Sequence, residues 1–262
     1  MAYSTAALVG ATGGAGTTRL AVELGATLAR DGREVAILDA AFATEGLARH
    51  VSGRIDADVT ALLTEDETVQ ADRLPAEGLR EHPATADLAG RLALCPAHAP
   101  FERLARAKTT DAARRFETLL GETASAYDHV LVDAPPVASN QAVAAVTAAE
   151  CVAVVAPASE RGVDALQRAR GRVADVGASV DAVVANRAEP EHPVRSADAA
   201  VPESEVRTVE GVPASAPDPE TAFAPAVAHV AEVVFDAELG LEFEESGLLD
   251  FDAEELLPDA LS

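Results

Sequence analysis

The chain has 262 residues, 48% of them hydrophobic, enough to build the core of one ordinary α/β domain. Forty-four acidic residues against 20 basic ones leave a formal charge of −24, and Lys108 is the only lysine, so the surface repels nucleic acid and anionic membrane. Cys95 and Cys151 stand far apart in apolar runs, the six histidines show no zinc-like spacing, and there is neither a signal segment nor an 18-residue apolar run. This excludes a disulfide scaffold, a zinc module and a membrane span; the expectation is a soluble cytoplasmic chain with buried free thiols.

Taken in chain order, "YSTAALVG" predicts a buried strand and "TTRLAVELGATLARDG" a helix. In that helix Leu20, Ala21, Leu24 and Leu28 share one face, and Gly32 closes it. "REVAILDA" predicts a second strand ending on Asp39. The three segments form a βαβ unit of roughly 30 residues, its loop at the strand's carboxyl end, where open α/β sheets bind ligands. Residues 45–90 are irregular, with a short helix in "DVTALLTED" and a charged, turn-rich excursion after it. "RLALCPA" predicts a strand and "TDAARRFETLLGETASA" an amphipathic helix burying Phe116, Leu119 and Leu120.

"YDHVLVDAPP" is a strand broken by Pro135 and Pro136, "NQAVAAVTAAE" a small-residue helix, "CVAVVAP" a strand. "SERGVDALQRARGRVADVGA" is a helix capped by Ser159, and "SVDAVVANR" a further strand. A loop-rich stretch over 188–218 holds one more short strand near Val206, and "DPETAFAPAVAHVAEVVFDAELG" predicts the last helix. Strands alternating with helices predict one doubly wound, mostly parallel sheet flanked by helices. The domain spans residues 1–236; residues 237–262 are a tail, expected to be disordered.

The loop after the first strand, "GATGGAGTT", fits two templates. Gly10, Gly13 and Gly16 fall three apart, as in the dinucleotide loop of short-chain dehydrogenases, with Asp39 placed to take ribose hydroxyls of NAD(P). That likeness covers only the first 40 residues and lacks the Tyr-x-x-x-Lys pair: Leu131 lies four residues after Tyr127. Alternatively, "ATGGAGTT" resembles the deviant Walker A loop x-K-G-G-x-G-K-[ST], with threonine at both lysine positions, Thr12 and Thr17.

Later segments favour the second template. "YDHVLVDAPP" resembles the ParA/MinD family's segment of the same shape, "REVAILDA" its second strand with Ala41 replacing a second aspartate, and "CVAVVAPASERGVDALQRA" its later strand and helix. "VVANR" and "AVPESEVRTVEGVP" also resemble family segments, in the right order, over residues 3–235. The acidic, lysine-poor composition is similar to that of salt-in halophiles, which points to a haloarchaeal source.

The resemblance implies a P-loop NTPase fold, a homodimer closed around two nucleotides, ATP and Mg²⁺ as cofactors, and a role in cellular positioning or partitioning. It places phosphates on Gly13, Gly14, Ala15, Gly16, Thr17 and Thr18, the base near Asn186 and Arg187, Mg²⁺ on Thr18 with support from Asp133, and a water at Asp39. With both lysines gone, phosphate binding is expected to be weak and hydrolysis impaired. Each residue has a plainer reading too: the glycines as a tight turn, the threonines as helix-end hydroxyls, the aspartates as strand ends. Arg19 lies past the loop and is expected to point elsewhere. Arg161, Arg168, Arg170 and Arg172 read as paired surface charges rather than a DNA-binding patch. The tail carries ten acidic residues from Asp236 onward and no basic one, which disfavours anionic lipid. Leu248, Leu249, Phe251, Leu256 and Leu257 give it a second reading as a protein-binding segment.

Overall fold

The apolar runs in the first half of the chain are parallel strands buried on both faces, which is why they read as continuous Ala/Val/Leu rather than as alternation. A computed structural model describes residues 3–64, 77–220 and 222–243. In chain order the elements are β1 (Thr5–Gly10), α1 (Thr17–Arg30), β2 (Glu34–Asp39), α2 (Val59–Thr64), β3 (Arg80–Glu81), β4 (Arg91–Cys95), α3 (Phe101–Ala107), α4 (Thr110–Ala124), β5 (His129–Ala134), α5 (Asn140–Ala148), β6 (Cys151–Pro157), α6 (Glu160–Asp175), β7 (Ala182–Asn186), β8 (Ala199–Val201) and α7 (Phe223–Phe235). Every residue of β1 and β5 is buried.

The strands form one sheet in the order β3-β4-β2-β5-β1-β6-β7-β8, all neighbours parallel except the short β3–β4 pair. α1 and α7 cover one face, where Leu20, Leu24, Leu28, Val227 and Val230 pack on the sheet. Leu63, Phe116, Leu119, Ala145 and Leu166 from α2, α4, α5 and α6 cover the other. From β1 the chain crosses towards β2, and from β6 towards β7, so the carboxyl end of β1 sits in the crevice where such sheets bind ligands.

Local signals set the helix ends. The side chains of Thr109, Ser139 and Ser159 accept from the backbone N–H of Ala112, Ala142 and Gly162, capping α4, α5 and α6. The last turn of α1 is tied to the residues after α7. Arg30 donates to the Glu242 carbonyl at 2.8 Å and lies 4.9 Å from the centre of the Phe243 ring, and the Gly240 N–H donates to Asp31 at 2.8 Å.

Four expectations change. The short strand is Ala199–Val201 and Val206 lies in a loop, because β7 offers its free edge to the earlier segment through Val184, Ala185 and Asn186. The last helix is shorter than its hydrophobic pattern, closing at Asp236 in a left-handed conformation with φ of 48°. β3 is antiparallel and only two residues long, too short for a period-two pattern, and α3 carries an arginine-rich face that hides its periodicity. Finally, none of Arg161, Arg168, Arg170 and Arg172 makes an ion pair among the described residues. The tail residues Leu248 to Leu257 lie outside the described residues. Cys95 and Cys151 are buried free thiols, both pushed up by desolvation.

Candidate nucleotide site

Three surfaces meet at the carboxyl end of β1: a glycine loop, a pair of buried aspartates, and a cavity lined by arginine.

The loop runs from Gly10 to the first turn of α1. The Ala15 N–H donates to the Thr12 carbonyl at 3.3 Å, closing a turn, and α1 begins with the Leu20 N–H donating to Gly16. Gly14 and Gly16 are left-handed, with φ of 77° and 88°, conformations that cost a side-chain-bearing residue about 1–2 kcal/mol. A Cβ on Gly13 or Gly14 would meet nothing within 4 Å, so the outer wall of the loop is open, whereas a Cβ on Gly16 would collide with the Asn186 amide. The first N–H groups of a helix have no intrahelical partner, so an oxyanion beside the open stretch at Gly13 and Gly14 would take those at the start of α1. Thr17 is nearly buried, its hydroxyl oxygen 3.0 Å from the Cβ position of Gly10. It therefore packs beneath the loop and brings no charge to it.

β2 and β5 run side by side, and their register sets Asp39 directly opposite Asp133. Both carboxylates are buried. Burial comes first, and for Asp39 the facing Asp133 second, in pushing both above the usual carboxylate range. Their environments differ. Asp39 accepts from Ala41 N–H at 2.8 Å on one oxygen and from Ala97 N–H at 3.1 Å on the other, joining the ends of β2 and β4. The Thr18 side chain beside Asp133 pulls its pKa back down, while its buried Oδ2 has no partner. The Thr18 hydroxyl is hemmed in by Gly46, where a Cβ would come within 2.9 Å of its oxygen.

Asp133 therefore holds a desolvated oxygen with nothing to neutralise it, next to a threonine hydroxyl. A hard divalent cation takes such oxygens, and the donor set fits Mg²⁺: Thr18 and Asp133 would hold it, and it would supply charge to a bound phosphate. No cluster of three or more His, Cys, Asp or Glu suited to a protein-only metal site occurs among the described residues.

On the other side of the loop a cavity of about 270 Å³ opens between α1 and the ends of β7 and β8. Gly16, Arg19, Asn186, Arg187, Arg207 and Phe223 are among its walls. Asn186 donates to the Ala15 carbonyl at 2.8 Å and accepts from Arg187 N–H at 3.0 Å, so this side chain latches the loop to the end of β7. Arg19 points away from the loop, into the cavity wall: it pairs with Glu23 at 3.2 Å and donates to Ser204 at 2.7 Å and to the Val206 carbonyl. Glu23 is fully buried and accepts from Ala214 N–H, Ser215 N–H and the Ser215 hydroxyl at 2.8–3.0 Å. This carboxylate nails the 202–220 segment to α1 and fixes the cavity's far wall.

The structure thus brings Gly13, Gly14, Ala15, Gly16, Thr17, Thr18, Asp39, Asp133, Asn186 and Arg187 to one end of the sheet. Sequence reasoning missed Gly46, Glu23, Ser204, Arg207 and Phe223. For Glu23 a signal existed: a lone acidic residue amid the apolar positions of α1, four residues after Arg19.

A parallel sheet with a glycine loop feeding a helix from its central strand, beside a Thr18–Asp133 pair, defines a P-loop NTPase fold of the ParA/MinD type. A family profile described as "AAA domain" matches residues 4–180, and the chain belongs to that family. Among solved structures, MinD in the MinC:MinD complex of Aquifex aeolicus is 20% identical, with a TM-score of 0.70 over 91% of this chain and 98% of that one. A ParA family ATPase from Chlorobium tepidum is 17% identical, at 0.66 over 88% and 99%. MinD of Pyrococcus horikoshii, complexed with Mg-ADP, is 20% identical, at 0.62 over 87% and 94%. No curated protein sequence matches the chain. No helix among the described residues is long and apolar enough to cross a membrane.

Proposed function

We propose that this chain is a nucleotide-responsive switch or scaffold of the positioning type, acting as a homodimer in the cytoplasm, with weak ATP binding and impaired hydrolysis. The observation that carries this reading is the asymmetry of the loop. Its metal side keeps Thr18 and an unpartnered Asp133 oxygen, while its phosphate side has Thr12 and Thr17 where the family loop has lysines. Phosphoryl transfer depends mainly on stabilising developing charge, and losing one preorganised donor costs about 3–4 kcal/mol. Asp39 is the candidate for positioning water, although both its oxygens already accept backbone N–H groups. The solved relatives support the reading by name: one MinD is complexed with Mg-ADP, another with MinC. With a net charge of −24, the surface favours a protein partner over direct contact with nucleic acid or anionic lipid, and the acidic tail is the candidate docking segment.

Calorimetric titration in high KCl with Mg·ATP, ADP and NADPH tests this. The expected result is weak binding of the adenine nucleotides, none of NADPH, and turnover far below that of lysine-bearing relatives. Turnover equal to theirs would establish an active ATPase, and NADPH binding alone a reductase-like protein.

A further inference from the structure

Of three arginines lining the cavity, two have a carboxylate partner. Arg19 is held by Glu23, and Arg207 pairs with Glu203 at 3.5 Å. The third, Arg187, makes no ion pair or side-chain hydrogen bond among the described residues. Its backbone is left-handed, with φ of 56°, a conformation that a long side chain rarely adopts. This turn at the end of β7 brings the guanidinium back over the glycine loop. Its Nη2 lies 3.7 Å from the Cβ position of Gly16, at the start of α1. The guanidinium of Arg187, an exposed residue, the start of α1 and the cavity therefore meet at Gly16.

We propose that Arg187 supplies the positive charge that Thr12 and Thr17 withhold, binding the phosphates of a nucleotide from the β7 side of the loop. This rests on the nucleotide-switch reading above. A guanidinium presents a planar fork of donors matched to phosphate oxygens, and it stays charged at any working pH. Glu23 and Glu203 are paired with the other two arginines, and no carboxylate among the described residues pairs with Arg187. Approach from this side differs in geometry from that of a lysine inside the loop.

The test measures Mg·ADP, inorganic pyrophosphate and adenosine binding to the full chain, wild type and the variants Arg187→Gln and Arg187→Lys, with thermal melts to confirm that each folds. The expected result is at least a tenfold loss for Mg·ADP and pyrophosphate in Arg187→Gln, little change for adenosine, and substantial recovery in Arg187→Lys. Should wild type bind Mg·ADP while Arg187→Gln binds it within twofold, or should adenosine weaken equally, Arg187 does not serve phosphate and the inference falls alone. If wild type binds neither Mg·ADP nor pyrophosphate at millimolar concentration, the inference falls together with the nucleotide reading.

Discussion

Asp39 and Asp133 face each other across adjacent parallel strands, equally buried, yet the chain uses them differently. Asp39 has both oxygens committed to backbone N–H groups from two loops, and so behaves as a joint. Asp133 is left with an oxygen that nothing in the described chain satisfies. Burying a carboxylate oxygen without a partner is costly, which makes Asp133 the candidate of the two for an external ligand. Equal position and equal burial do not make equal roles; the hydrogen-bond inventory separates them.

The comparison can be broken most directly at the metal. Asp133→Asn should remove the Mg²⁺ dependence of nucleotide binding, a loss of about 10–100-fold in Mg²⁺ affinity, followed by titrating MgCl₂ at fixed ADP. Unchanged Mg²⁺ dependence would place the ion elsewhere. The next effect is on stability. An asparagine at position 39 cannot accept at both ends, so Asp39→Asn should cost about 2 kcal/mol in urea unfolding. Asp133→Asn, with no such partner to lose, should be near neutral or mildly stabilising without Mg²⁺. Reversal of that order would undo the distinction between joint and ligand.

The smallest effect is on pH dependence. The folded protein holds protons on this pair more tightly than the unfolded chain does, with Asp39 pushed up to about 8. Their contribution is therefore fully present below the ordinary carboxylate pKa near 4 and is lost as pH rises towards about 8. The half-buried His50 and the buried His82 and His129, lowered by desolvation, pull the other way on acidification. Subtracting an Asp133→Asn melting series from the wild type cancels them. The difference should favour wild type by about 1 kcal/mol more at pH 6 than at pH 8.5, without Mg²⁺. A flat difference would mean that the pair does not share its charge.

The sheet was legible because its signals are local and redundant: double-faced burial makes each central strand a continuous apolar run, and the Ser159 cap marks α6. The loop was legible because glycines at fixed spacing carry a backbone requirement. The cavity was not, because its walls come from α1, β7, the 202–220 segment and α7, and nothing in "SEVR" announces that Ser204 will meet Arg19. Asn186 was read from the family likeness as a base contact, whereas its latch onto Ala15 depends on a contact 171 residues away in sequence. The left-handed turn at Arg187 left no sequence signal, since arginine does not announce positive φ as glycine does.

α1 spans 14 residues, about 21 Å at 1.5 Å per residue. Its first turn carries Thr17 and Thr18; its last carries Arg30, with Asp31 just beyond, and these grip residues 240–243. One stiff rod therefore has the phosphate loop at one end and the root of the acidic tail at the other. Whatever tilts the first end is felt at the second without any relay of side chains between them.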